Sequence, residues 1–226
     1  MTISKPTILL TGFPGRRMEK DNFQNPTGII AKSLHGEQIG DYTIDSAVID
    51  CELEERYEYV QGLFAEPRIL ALSLGMADIR GFKLERTARN VIDTATNPTQ
   101  LGGRRRHPIQ PRLPEDYERL CNVATPNLVS ITKSLQQAGL EAIISDNAGT
   151  LGCNAAAFAL YDLPATYDYI PRLFMHVPLN PECAAQARSD TDGSVPEMKQ
   201  ERIEEGVVIA LAGLALLVSQ AEEIQR

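Results

Sequence analysis

The residues best placed to do chemistry are a cysteine and a histidine far apart in the chain. Cys153 follows the small-residue turn Asn147-Ala148-Gly149-Thr150-Leu151-Gly152 and opens an Ala-rich segment that reads as a helix. A thiol at a helix start meets backbone N–H groups that lack intrahelical partners, and the positive end of the helix dipole. Both favour the thiolate, which is the nucleophile. His176 ends a second apolar run, Phe174-Met175-His176-Val177-Pro178. A Cys and a His on separate strand ends are the raw material of a cysteine hydrolase. Cys51, Cys121 and Cys183 carry no supporting pattern, and no CxxC spacing occurs, so no metal site is expected. The turn Thr11-Gly12-Phe13-Pro14-Gly15 lacks the Gly-Lys-Ser/Thr ending of a phosphate loop.

The elements that must position these groups alternate between strand and helix. Ile8–Leu10, Thr43–Ile49, Ile69–Leu74, Ala142–Ser145 and Arg172–Val177 read as strands. Pro26–His35 reads as a helix with Asn25 as N-cap and Pro26 at its first position. Glu52–Phe64 reads as a charged surface helix, Pro126–Ala138 as a helix stopped by Gly139, and Cys153–Tyr161 as the helix behind the thiol. A long helix is expected from about Glu197, with Val207–Val218 as a buried segment too short to span a membrane. Phe82–Asp93 is ambiguous, and the Pro-, Gly- and Arg-rich stretch 94–115 reads as a long surface loop. Strands alternating with helices predict a mainly parallel sheet covered on both faces, with ligands beyond the carboxyl ends of its strands.

At 226 residues, 43% hydrophobic and 23% charged, the chain (1–226) fits a single soluble α/β domain. Its formal charge of −8 argues against nucleic-acid binding. The N-terminus lacks a signal-peptide layout, so a cytoplasmic protein with reduced thiols is expected, with no membrane partner.

Four segments in order resemble the pyroglutamyl peptidase I (pyrrolidone-carboxylate peptidase) family of cysteine peptidases. They are Thr11-Gly12-Phe13 with Asn25-Pro26-Thr27; Leu84-Glu85-Arg86 with Asn90; Asn147-Ala148-Gly149-Thr150-Leu151-Gly152-Cys153-Asn154; and Phe174-Met175-His176-Val177-Pro178. The resemblance implies a three-layer α/β/α sandwich with a mainly parallel, mixed sheet, often assembled as a tetramer, so a homo-oligomer (tetramer or dimer) is expected. It implies removal of N-terminal pyroglutamyl residues from peptides without metal or cofactor. Position by position it makes Cys153 the nucleophile, His176 the base and acid, and Glu85 the group that orients the imidazole.

The same resemblance makes Phe13 a ring-contacting aromatic of the substrate pocket. The family's second aromatic and Gly-Gly pair are replaced by Pro14-Gly15-Arg16-Arg17-Met18, and Phe23 is a candidate to supply the lost ring. Gly75-Met76-Ala77-Asp78-Ile79-Arg80 matches a family loop in which many members carry Gln at the position of Met76. Arg80 is a candidate to polarise the oxyanion or position that loop, a surface salt bridge being the competing reading. Gly152 brings backbone N–H groups to the reacting carbonyl. The altered pocket keeps two alternatives open: a thiol amidohydrolase for another small amide or lactam, and a non-catalytic binding or assembly protein on the same fold.

Overall fold

The structure is a computed structural model that describes residues 6–224 except 16, 19, 20, 23, 97–104 and 191–193. Strands β1 (Thr7–Gly12), β2 (Gln38–Ile39), β3 (Tyr42–Val48), β4 (Arg68–Met76), β5 (Phe82–Glu85), β6 (Ala142–Ser145) and β7 (Arg172–Val177) form one sheet in the order β6-β5-β7-β4-β1-β3-β2. Its pairings are parallel except β5 with β7 and β2 with β3. The sheet is therefore mixed and mostly parallel, as expected.

Helices cover both faces. α1 (Pro26–Ser33), α3 (Thr125–Gln137) and α6 (Gln200–Ile224) pack on one side, and α2 (Arg56–Gly62) and α4 (Gly152–Tyr161) on the other. This is a three-layer α/β/α arrangement. β4 sits in the middle and reads as a near-continuous apolar run because both its faces are buried. Four alanines in α4, Ala155, Ala156, Ala157 and Ala159, are buried and let that helix lie close between α2 and the sheet. A 3-10 turn, Leu53–Glu55, precedes α2. α5 (Pro181–Asp190), which the sequence reading did not separate out, packs Cys183 and Ala184 with Leu179 and Val195 in a small core of its own.

The ambiguous stretch 82–93 is three short strands. Phe82–Glu85 joins the sheet, Thr87–Arg89 pairs with Glu118–Leu120, and Ile92–Asp93 pairs with Arg106–His107. The 94–115 stretch thus contains a short strand, and Thr94 is buried. Its residues 97–104 lie outside the described residues.

The last helix begins at Gln200 rather than near Glu197, because the Met198 N–H is given to the Leu179 carbonyl at 2.8 Å and holds the chain out of helical geometry. By length and composition Gln200–Glu223 is apolar enough to cross a membrane. Ile203, Val207, Ala210, Leu211 and Leu214 are nevertheless buried in the main core, while Leu216 faces out. The expected buried helix is buried along one stripe only, the amphipathic pattern of a helix lying on a sheet.

Candidate active site

The antiparallel pairing of β5 with β7 brings two distant residues together. Phe174 opposes Glu85 and His176 opposes Lys83. Side chains alternate along a strand, so Lys83 and Glu85 share a face with Phe174 and His176. On that face the His176 Nδ1 lies 2.7 Å from the Glu85 Oε1, with Glu85 wholly buried and His176 nearly so. The Phe174 ring packs edge-on against the imidazole, 5.2 Å between centroids.

Glu85 Oε2 has no hydrogen-bond partner among the described residues. A buried carboxylate so placed leans on the charge of its one partner. The Tyr161 hydroxyl, from the last residue of α4, donates to the Glu85 carbonyl at 2.6 Å and accepts the Phe174 N–H at 2.8 Å. It bridges β5 and β7 at the residue pair next to His176.

Cys153 enters from above. Gly75 is the parallel neighbour of His176, and a Cβ there would lie 2.8 Å from the Cys153 Sγ and 2.6 Å from the Phe174 ring. The bare glycine leaves the space the sulfur occupies. His176 interacts with Cys153 by charge and hydrogen bond. With Nδ1 committed to Glu85, Nε2 is the nitrogen left for the thiol. Burial pulls the His176 pKa down, but the charge interaction and hydrogen bond with Cys153 and those with Glu85 outweigh that and raise it to about 9. The imidazole is therefore held protonated at neutral pH.

The start of α4 is built for anions. Its N-cap residue, Leu151, makes no side-chain cap hydrogen bond. Helix-start N–H groups beside Cys153 are thus not consumed by a cap. Buried Asn154 fixes this end of the helix: its Oδ1 accepts the Arg89 N–H and its Nδ2 donates to the carbonyls of Arg89 and Val91. The preceding turn is tied down by Arg86, whose guanidinium makes two bonds to Asp146 at 2.7 and 2.6 Å. That bond holds the Asp146 carboxyl below its ordinary range. Asn90 has a structural part, its side-chain amide meeting Gln110, Leu113 and Pro114.

Two cavities meet at the sulfur. One, about 240 Å³, is lined by Phe13, Asn25, Arg56, Met76, Gly152 and Cys153 among others. The other, about 300 Å³, includes Ala77, Lys83, Asn147, Gly149, Cys153 and His176. Phe13 is set by the helix α1 cap. Asn25 Oδ1 accepts from the Thr27 N–H and hydroxyl, and Thr27 Oγ1 accepts the Phe13 N–H at 2.9 Å.

Of the candidate residues, Glu85, Cys153 and His176 are brought together, and Phe13, Met76 and Gly152 line the first cavity. Arg80 is not with them. It is exposed and lines a neighbouring depression with Ile79, Gly81 and Glu141, which borders the second cavity at Lys83. Phe23 lies outside the described residues. Arg56 was not singled out in the sequence, yet its guanidinium lies 4.9 Å over the Phe13 ring. Gly152 makes room for it: a Cβ there would sit 1.3 Å from the guanidinium. No local signal marks Arg56 in a charged surface helix. Lys83 comes to light only with the β5–β7 register, and Tyr161 only from the fold.

A family model described as pyroglutamyl peptidase matches residues 6–216. The chain is 31% identical over 216 residues to a pyrrolidone-carboxylate peptidase of Pyrococcus furiosus, covering 92% of this chain and 99% of that one. It is 30% identical over 211 residues to one of Bacillus cereus, covering 91% of each. The solved structure of an E192D mutant pyrrolidone carboxyl peptidase from Pyrococcus furiosus superposes with a TM-score of 0.79 at 27% identity, covering 94% of this chain and 99% of that chain. The match in sequence and in fold runs over almost the whole length, and the chain belongs to the pyroglutamyl peptidase family.

Proposed function

We propose that the protein is a cysteine exopeptidase that removes N-terminal pyroglutamyl residues, acting as one hydrolytic domain with Cys153, His176 and Glu85 as its reacting group. The observation that carries this is the Glu85–His176 hydrogen bond on the face that also receives the Cys153 sulfur. It has the nucleophile–base–orienter logic of a triad.

The chemistry follows from the geometry. The Cys153 thiolate attacks the pyroglutamyl carbonyl carbon, and the carbonyl oxygen becomes an oxyanion beside the uncapped N–H groups of α4. The intermediate collapses, the C–N bond breaks, and the departing nitrogen takes the proton from His176 Nε2. A thioester remains. Water then attacks it and gives a proton to His176, and the thiolate leaves with pyroglutamate released. Glu85 holds the imidazole in one orientation throughout and balances its charge.

The cavity lined by Phe13 takes the acyl ring. Its flat wall is Phe13, and the Arg56 guanidinium lies over that ring in the same cavity. A guanidinium can stack and also donate to the lactam carbonyl. The same cation favours a second reading, a thiol amidohydrolase for a different small acyl group bearing an acceptor. A panel of fluorogenic amides separates them. The peptidase reading expects pyroglutamyl amide to be cut while prolyl and N-acetyl-alanyl amides are not, since a site that hydrogen-bonds a lactam rejects acyl groups lacking it. Cleavage of another acyl amide in place of the pyroglutamyl one would favour the second reading.

All four cysteines are free, which supports a reducing, cytoplasmic setting. Exposed Leu216 on α6 and Ile143 on the edge strand β6 support a homo-oligomer, to be read by light scattering.

A further inference from the structure

Lys83 stands where no element of the reaction above requires a cation. It is the residue directly across the β5–β7 pair from His176, and it projects from the same face as Glu85. It lines the 300 Å³ cavity that His176 and Cys153 also line, where no carboxylate shares the lining among the described residues, and its other side borders the depression lined by Arg80 and Glu141. His176 is absent from the Phe13 cavity, so the proton it delivers to the departing amine is delivered on the Lys83 side. The leaving group therefore occupies the Lys83 cavity.

The chain has 30 acidic and 22 basic side chains, and many of its arginines are spoken for by carboxylates, Arg68, Arg86, Arg106 and Arg119 among them. Among the described residues Lys83 has no ion pair. A cation kept without a carboxylate partner, in an acidic protein and on the rim of the site, is placed to meet a charge that the substrate brings.

We propose that Lys83 is a specificity determinant that binds the free α-carboxylate of a one-residue leaving group, making pyroglutamyl dipeptides the favoured substrate class. The inference rests on the peptidase reading above. In a dipeptide a single carbon separates the departing nitrogen from the terminal carboxylate. That carboxylate therefore lies one residue's reach from the His176 imidazole, in the cavity that Lys83 also lines. In a longer peptide or an amide the same position holds a neutral group, and the charge pairing is lost.

The test compares pyroglutamyl-alanine with pyroglutamyl-alanine amide in the wild type, Lys83→Met and Lys83→Arg. For the wild type, kcat/KM is expected to be about 2- to 5-fold higher for the free acid, carried by KM and weakened by salt. In Lys83→Met the ratio falls to about one, and in Lys83→Arg the preference and its salt dependence remain. Equal use of both substrates by the wild type, or a preference that survives Lys83→Met, overturns the role of Lys83 and leaves the peptidase reading standing. If neither substrate is cut, the peptidase reading itself fails and the inference with it.

Discussion

Tyr161 donates its hydroxyl to the backbone carbonyl of Glu85 at 2.6 Å, from a helix that begins beside Cys153. The same oxygen accepts the Phe174 N–H. One buried hydroxyl thus ties the helix carrying the thiol to both strands carrying the carboxylate and the imidazole. Tyr161 is a positioning residue. Tyr161→Phe leaves the Glu85 carbonyl and Phe174 N–H without that partner, which costs about 1–3 kcal/mol of stability in a buried site. We expect a lower melting temperature in calorimetry, a fall in kcat with KM little changed, and a shifted pH profile. An unaltered pH profile would mean the hydroxyl serves stability alone.

The pH dependence carries the signature of His176. Its pKa is raised from 6.5 to about 9 in the folded protein. Activity on pyroglutamyl amide should fall as pH rises through about 9, because the imidazolium that protonates the leaving amine is lost. In Glu85→Gln the carboxylate no longer supports the protonated ring, so the alkaline limb moves to lower pH and kcat drops. The stability linkage has the same sign. The raised pKa contributes stability that is fully present below the unfolded value of 6.5 and is lost as pH rises through about 9. Thermal melts across that range, wild type against His176→Gln, read it directly.

Gly75 is required bare. A Cβ there would meet the Cys153 sulfur at 2.8 Å and the Phe174 ring at 2.6 Å. Gly75→Ala should displace the sulfur by a fraction of an ångström to an ångström, and displacements of that size cost up to about 100-fold in rate. Expected outcomes are a folded protein with strongly reduced kcat and slower alkylation of Cys153. Unchanged turnover would show that the site adjusts freely around the extra methyl.

Arg56 and Gly152 act as a pair in the acyl cavity. Arg56→Ala removes the cation over Phe13, a contact worth about 0.5–2 kcal/mol. If the guanidinium helps hold the ring, KM for pyroglutamyl amide rises by several-fold to about 10-fold with kcat less affected. Gly152→Ala should give the same direction of change, since its Cβ takes the place of the guanidinium. A lower KM in Arg56→Ala would instead mark the side chain as an obstruction.

Local chemistry made much of the fold legible. Asn25 and Pro26 start α1 with the cap they advertise, and Gly139, at φ +73°, stops α3. The apolar runs became the parallel strands of the sheet. The stretch 82–93 could not be read because its three short strands pair with four different partners, a tertiary fact. Glu85 could not be told from a solvated carboxylate by its charged neighbours alone. Only the resemblance named it, and the β5–β7 register explains its burial. Arg80, which the family loop offered to the site with a surface role as the competing reading, points elsewhere because the chain turns through Ala77–Ile79, where the Ile79 N–H meets the Ala77 carbonyl, and carries it to the surface. Arg56 and Tyr161 reach the site from helices, across long stretches of chain, and nothing near them in the sequence announces it.

Attack of Cys153 on a pyroglutamyl carbonyl is the step on which every other role depends. The most direct measurement is hydrolysis of a fluorogenic pyroglutamyl amide by the wild type and by Cys153→Ala, with acid-quenched mass mapping of the protein during turnover. Expected are turnover in the wild type, a pyroglutamyl thioester on the peptide containing Cys153, and loss of both in the alanine variant. Turnover that persists in Cys153→Ala, or an acyl group carried on any other residue, would contradict that attack.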